Sequence, residues 1–218
     1  MYRYWFDNIK GITPVKKRIL YETFDNAENI YHAPESAIAK TVGIETEDIG
    51  AITESRRQWS LEGAWTRLQE KGISLVTLED AEYPEKLKKI VAPPYALYYR
   101  GHLPRKEHKS VAIVGARGRS AYGSQVARAL AKRLAEADVD VISGMALGID
   151  TDGHMGAIDG SGATYAVLGC GVDICYPRSN RFLYEQIPER GGILSEFVPG
   201  TQPLPSLGSN SVPSGSEQ

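Results

Sequence analysis

The residues from Val111 to Gly123 combine a glycine-rich turn with two arginines and a serine, in the order V-A-I-V-G-A-R-G-R-S-A-Y-G. A short apolar run followed by glycines indicates a strand that ends in a tight turn, and a helix is expected from about Ala121. Glycine lets the backbone approach an anion, a helix N-terminus offers unpaired N–H groups, and Arg117 adds a forked positive charge. The segment therefore predicts a site for a phosphate-rich ligand.

The spacing of these glycines excludes the usual dinucleotide-binding pattern. Gly115, Gly118 and Gly123 do not form G-x-G-x-x-G. The next predicted strand ends in Ser143 and Gly144, not in the acidic residue that would hold a ribose. NAD is therefore not the expected ligand. The two cysteines fit neither a redox nor a zinc pattern, and we predict neither a cofactor nor a metal ion.

The composition indicates a soluble protein with an uneven charge distribution. The chain has 218 residues, 42% hydrophobic residues and a net charge of −2. Because it has no long apolar run and no signal peptide, we predict a cytoplasmic protein without membrane contact. Between residues 99 and 133, nine cations stand against one anion, a net charge of +8. Such a local excess favours a polyanionic partner.

The pattern of apolar residues divides the chain into two predicted domains and a tail. Residues 1–90 read as a small helical domain, with one long helix over residues 49–71, a strand after Gly72 and a linker around Pro93 and Pro94. Residues 91–207 alternate strands with helices, which predicts an α/β fold with a Rossmann-like parallel sheet covered on both faces. Residues 208–218 are small and polar and predict a disordered tail.

Ligands of parallel sheets bind beyond the carboxyl ends of the strands, so the residues that follow each strand are candidates. Three glycine-bearing turns are expected to meet at one edge of the sheet. Their candidate DNA-binding residues are Gly115, Ala116, Arg117, Arg119, Ser120, Ser143, Gly144 and Gly169.

A fourth candidate segment reads C-Y-P-R-S-N-R-F and follows the third glycine turn. Arg178, Asn180 and Arg181 offer charge and an amide, while Phe182 offers an aromatic face. Single-stranded nucleic acid needs cations for its phosphates and flat surfaces for its bases, so this combination favours that ligand. The alternative, that Phe182 anchors its helix to the sheet, stays open at this point.

Three longer motifs resemble those of the DNA-processing protein A family, also called Smf. They are G-A-R-x-x-S-x-Y-G at residues 115–123, S-G-M-A-L-G-I-D-x-x-x-H-x-G-A at residues 143–157 and A-V-L-G-C-G-V-D-x-x-Y-P-R-x-N at residues 166–180. The predicted helical domain over residues 1–90, called the helical front below, is also similar to the sterile-alpha-motif-like domain of some family members. The resemblance implies an extended Rossmann fold that binds single-stranded DNA, forms homodimers and loads the RecA recombinase in natural transformation. It implies no catalytic activity.

The resemblance implies DNA-contacting roles for the residues of this chain that occupy matching positions in these motifs. Arg117 resembles the turn arginine that meets the DNA backbone, with Ser120 and Gly115 donating hydrogen bonds to phosphate. Arg178 stands where members have lysine or arginine after Tyr-Pro, and its guanidinium can neutralise phosphate.

The C-terminal end departs from the family pattern. After Leu207 the family continues with a Phe-Pro-x-Arg-Asn-Arg segment and further strands, whereas this chain reads G-S-N-S-V-P-S-G-S-E-Q. We therefore expect a truncated or frameshifted member whose sheet domain is incomplete at its C-terminal end and whose dimer and RecA surfaces are absent.

Two other functions remain open from sequence alone. A phosphoribohydrolase-like enzyme could use Asp150, His154 or Glu196 as the acid or base near a phosphate. An interaction module could instead use the helical front to bind protein partners.

Overall fold

The computed structural model of the chain describes residues 1–204, which form one six-stranded sheet with helices packed around it. The strands are β1 (Ser74–Thr77), β2 (Ala96–Gly101), β3 (Ser110–Ala112), β4 (Asp140–Ser143), β5 (Thr164–Val167) and β6 (Gly192–Ser195). Their spatial order is β1-β2-β6-β5-β4-β3. The four strands from β3 to β6 are parallel, whereas β1 and β2 pair antiparallel at one edge.

Within residues 1–204, seven helices precede β3 and three connect the parallel strands. The first group is α1 (Tyr2–Asp7), α2 (Pro14–Phe24), α3 (Ala27–His32), α4 (Glu35–Ile38), α5 (Thr46–Gln58), α6 (Leu61–Glu70) and α7 (Glu85–Lys88). The second group is α8 (Ala121–Glu136), α9 (Ile149–Asp159) and α10 (Arg181–Arg190), with a 3₁₀ turn at Arg178–Asn180 before α10.

The α/β, Rossmann-like class predicted from the sequence is confirmed. In the register of the parallel strands, Val111 on β3 lies opposite Val141 on β4, and Val167 on β5 lies opposite Leu194 on β6. Helix α8 buries its small residues Ala127, Ala131 and Ala135. Helix α9 packs against α8 at close range, and α8 and α9 begin after the carboxyl ends of β3 and β4, respectively.

Three sequence-based expectations were wrong in detail. The long helix over residues 49–71 is two helices, because Trp59 is extended and the Ser60 side chain caps α6 by accepting from the Gly63 N–H. The linker after Pro94 contains β2, whose aromatic residues suit a strand packed between two partners. The sheet is therefore mixed and not wholly parallel, because β2 enters it between β1 and β6.

The helical front is attached to the sheet by specific polar contacts. Tyr98 on β2 donates its hydroxyl to Asp7 Oδ2 at 2.6 Å, and Arg3 pairs with Glu79 at 2.9 Å and with Asp80 at 2.5 Å. Strand β1 lies within the predicted helical domain yet pairs with β2. The division at residue 90 stays a prediction, and the predicted tail over residues 208–218 lies outside the described residues.

Across residues 1–204, no helix is both long enough and apolar enough to cross a bilayer.

Candidate nucleic-acid interface

The loops that follow β3, β4 and β5 surround one pocket of about 290 Å³ at the carboxyl ends of these strands. We call residues 115–123, 144–148 and 169–182 the rim. Arg117 contributes from the first loop, Gly144 and Leu147 from the second, and Gly169 and Tyr176 from the third. The structure thus brings the three glycine turns to a single place, as the carboxyl-end rule predicts for parallel strands.

Two rim arginines are exposed and have no carboxylate partner among residues 1–204, namely Arg117 and Arg178. By contrast, Arg119 forms an ion pair with Asp152 on α9, and Arg181 pairs with Glu185 at 2.8 Å. A guanidinium without a carboxylate partner keeps its donors available for an external anion.

The local charge excess of +8 counted between residues 99 and 133 is smaller in the folded chain. Arg105 lies 3.3 Å from both Asp138 and Asp140, and Arg128 lies 2.6 Å from Asp159. These carboxylates come from outside the counted segment, so sequence counting could not include them. Part of the charge excess is therefore neutralised within the chain, whereas Arg117 at the rim keeps its charge available.

The backbone amides of the glycine turns are bound by a carboxylate of the chain itself. Asp150, at the start of α9, accepts hydrogen bonds from Gly115 N at 3.3 Å, Gly144 N at 3.1 Å and Ala146 N at 3.4 Å. The Gly115 amide is therefore not free to bind phosphate, which differs from the role that the family resemblance implied for it. Instead, one buried side chain connects two loops of the rim.

Several other candidate side chains are also used internally. Ser120 caps α8 by accepting from Gly123 N at 3.0 Å, and Ser143 donates to the carbonyl of Ile113 at 2.6 Å. Asn180 is buried and donates to the carbonyl of Met145 at 2.8 Å and to Thr151 Oγ1 at 2.9 Å. Ser143 and Asn180 direct their donor groups to partners within the chain, whereas Ser120 uses only an acceptor lone pair in its cap. All three residues thereby hold the loops of the rim in place.

Close backbone contact also holds the first two loops together. The Ala116 carbonyl accepts from Ile149 N at 3.3 Å. Gly148 has a φ of +88°, and a Cβ there would lie 2.6 Å from the Arg117 carbonyl oxygen. Only glycine fits such a position, so the conformation of the Arg117 turn depends on the β4–α9 loop.

Two aromatic rings of the rim are exposed. Phe182 is 54% exposed at the start of α10, and Tyr122 is 77% exposed at the start of α8. The exposure of Phe182 leaves its ring available for stacking on a base. Tyr122 was not among the predicted site residues, although its place two residues into the helix after an arginine-rich turn was a usable signal. Pro203, which lines the pocket from far along the chain, was not predicted either.

The acid and base candidates of the enzyme alternative do not meet at the pocket. His154 is fully buried on α9, where its Nδ1 lies 2.7 Å from Thr164 Oγ1. Thr164 donates its own proton to the Val141 carbonyl, so His154 Nδ1 carries the hydrogen in this contact. Glu196 is exposed beyond β6, and Asp150 is surrounded by backbone amides.

The buried His154 predicts a loss of stability in weak acid. Burial lowers the pKa of His154 to about 4, below its ordinary value of 6.5. Between these values the unfolded chain binds more protons than the folded one, so stability falls as pH falls. We expect this residue to cost about 2 kcal/mol of unfolding free energy between pH 7 and pH 5.

Urea titrations of wild type and His154→Gln at both pH values measure this loss, because glutamine does not titrate in this range. The variant is expected to lose about 2 kcal/mol less than wild type on acidification. Equal losses in the two proteins would contradict a neutral buried imidazole.

The sequence and the fold match known proteins of one family. The family of DNA recombination-mediator protein A matches residues 74–207. Protein Smf from Synechocystis sp. is 35% identical over 206 residues, which cover 92% of this chain and 52% of that protein. DNA processing protein DprA from Streptococcus pneumoniae is 38% identical over 135 residues, covering 62% of this chain and 47% of the relative.

Two solved structures are also similar. DNA processing protein A from Streptococcus pneumoniae superposes with a TM-score of 0.76 at 28% identity, covering 94% of this chain and 70% of that one. The Helicobacter pylori protein, described as having a unique single-stranded DNA binding mode, gives a TM-score of 0.53 at 29% identity and covers 63% and 62%.

The fold and the rim define a Rossmann-like protein with an exposed cationic edge at the carboxyl ends of its strands. The chain belongs to the DNA recombination-mediator protein A family, whose members are also named Smf and DprA. The matched region spans 52% of the Synechocystis relative and 61% of the Borreliella burgdorferi relative, so the chain corresponds to between half and two thirds of their length.

Proposed function

We propose that this protein binds single-stranded DNA at the rim and acts in recombination without catalysing a reaction. The observation that carries the proposal is the convergence of Arg117 with Tyr176 and Pro177 on one pocket. Arg178 follows Pro177 directly, and both arginines are exposed and free of carboxylate partners among residues 1–204. In this proposal the protein protects incoming single-stranded DNA and loads the RecA recombinase in the cytoplasm during natural transformation.

The two arginines would bind phosphates, and the aromatic rings would stack on bases. Arg117 and Arg178 lie on the first and third loops, so a strand that contacts both crosses the pocket between them. The pocket wall includes Leu147 and Tyr176, and a volume of about 290 Å³ accommodates one unstacked base. Phe182 and Tyr122 would hold further bases at either side.

The remaining candidate residues take secondary roles in this proposal. Arg119 and Arg181 add positive potential but share it with Asp152 and Glu185. The other candidate site residues would keep the loops in place or allow close approach of the DNA. They are Gly115, Ala116, Ser120, Ser143, Gly144, Gly169 and Asn180.

The comparisons support this proposal without deciding the partners. The Helicobacter pylori relative is described as binding single-stranded DNA, and its similarity to this chain extends over 63% of the residues. RecA and a second copy of the chain are proposed as partners from the family resemblance alone. An enzymatic function is not favoured, because His154 and Glu196 do not line the pocket. Asp150 does line it, but its oxygens already accept hydrogen bonds from backbone amides.

Photo-cross-linking tests where DNA binds. A single-stranded oligonucleotide carrying photoreactive thymine analogues is irradiated with the full chain, and the attached peptides are identified by mass spectrometry. We expect cross-links within residues 115–123, 144–148 and 169–182 at low salt. The yield of these cross-links is expected to fall at high salt. Unlabelled competitor of the same sequence is the control. Cross-links confined to residues 1–90, or hydrolysis of nucleoside monophosphates by the pure protein, would contradict the proposal.

A further inference from the structure

We infer that Asp150 is a positioning residue for DNA binding, which holds the Arg117 turn in its binding conformation. The inference rests on the proposed function, since it assigns the way in which the rim is kept ready for DNA. Asp150 is buried and lines the pocket, and both of its carboxylate oxygens accept hydrogen bonds from the backbone, so its role is to hold the loops in place.

One carboxylate connects two loops that are distant in sequence. Its Oδ1 accepts from Gly115 N, two residues before Arg117, and its Oδ2 accepts from Gly144 N and Ala146 N in the β4–α9 loop. A carboxylate that accepts several amide hydrogens satisfies groups that a glycine turn would otherwise leave unpaired. The Arg117 turn is therefore fixed to the start of α9.

Asn180 extends the same connection to the third loop. Its amide donates to the carbonyls of Met145 and Ala146 and to Thr151 Oγ1 beside Asp150. Asn180 lies two residues after Arg178, the second unpaired arginine of the rim. The β4–α9 loop thus serves as a common support, with Asp150 on the Arg117 side and Asn180 on the Arg178 side.

The positioning role and a purely electrostatic role predict opposite effects. Asp150 is an anion next to a DNA-binding surface, so removal of its charge alone would strengthen the binding of phosphates. If it positions Arg117, replacement weakens binding despite the lost repulsion. An asparagine at this position presents its NH₂ group to at least one backbone N–H, so it cannot accept all three hydrogen bonds.

The test measures binding of an oligodeoxythymidylate to the full chain by fluorescence anisotropy. The proteins are wild type, D150N, R117A, the D150N/R117A double variant and D159N as a charge-matched control on the same helix. We expect D150N to lower affinity roughly tenfold. The double variant is expected to bind no more weakly than R117A alone, because Asp150 acts through Arg117. D159N is expected to bind like wild type.

A second variant covers the case in which D150N does not fold, as judged by circular dichroism. A Cβ at Gly144 would lie 2.9 Å from Asp150 Oδ2, so G144A displaces the carboxylate without removing its charge. G144A is then expected to weaken binding several-fold.

The outcomes separate this inference from the proposed function. Tighter binding by D150N, additive losses in the double variant, or unchanged binding by G144A would overturn the positioning role while DNA binding itself stands. Absence of binding by wild type would instead remove the proposed function.

Discussion

Replacement of Gly156 by valine is expected to lower the free energy of unfolding by about 3 kcal/mol or more. Gly156 lies on α9 where this helix meets α8. A Cβ at this position would overlap the Arg128 carbonyl oxygen and lie 2.8 Å from the Ala131 Cβ. Because the first obstacle is backbone, the two helices must separate, and side-chain rotation alone cannot relieve the overlap.

Thermal unfolding followed by circular dichroism measures the effect, which for a chain of this size corresponds to a fall in Tm of roughly 6–12 °C. Gly50→Val is the matched control, since Gly50 also lies in a helix but has no atom within 4 Å of an added Cβ. The control is expected to change stability by less than about 0.5 kcal/mol. A similar Tm for both variants would show that α8 and α9 do not pack as described.

Local patterns in the second half of the chain were sufficient to predict its elements closely. The helix expected from about Ala121 is Ala121–Glu136, because apolar spacing and the Ser120 cap both act within a few residues. Alternation of strands and helices then determined the α/β class. The same reasoning led to the three glycine turns, since strand ends of a parallel sheet share one edge.

Features that depend on distant partners could not be predicted in this way. β2 was interpreted as a linker because its position between β1 and β6 is decided by pairing across the sheet. Similarly, the sequence identified Arg117 and Arg119 together. Only the fold shows that Asp152, on another helix, neutralises Arg119 and leaves Arg117 available.

At the site, the largest difference between prediction and structure concerns the group that the backbone amides bind. A glycine turn before a helix indicates an anion, and the structure does place an anionic group there, but it is the side chain of Asp150. Asp150 lies 35 residues beyond Gly115, so no local spacing connects the two. In the proposed function, phosphate binding would consequently depend more on the arginines than on the amides.

Replacement of Arg117 and Arg178, which have no carboxylate partner among residues 1–204, has the largest expected effect on DNA binding. Each charge-assisted contact contributes about 1.5 to 3 kcal/mol, so the Arg117→Ala, Arg178→Ala double variant is expected to bind single-stranded DNA at least ~100-fold more weakly. Each phosphate contact on a single strand also contributes about 0.7 to the slope of log affinity against log salt. The slope is therefore expected to fall by about 1.4 in the double variant.

The matched control is the Arg18→Ala, Arg57→Ala double variant, which removes the same charge from exposed positions on α2 and α5. It is expected to bind nearly as tightly as wild type, with an unchanged salt slope. Filter binding of a single-stranded oligonucleotide over a salt series is the measurement that tests the account most directly. A large loss of affinity and slope confined to the rim variant is the predicted result, and equal affinities and slopes for the rim variant and wild type would contradict it.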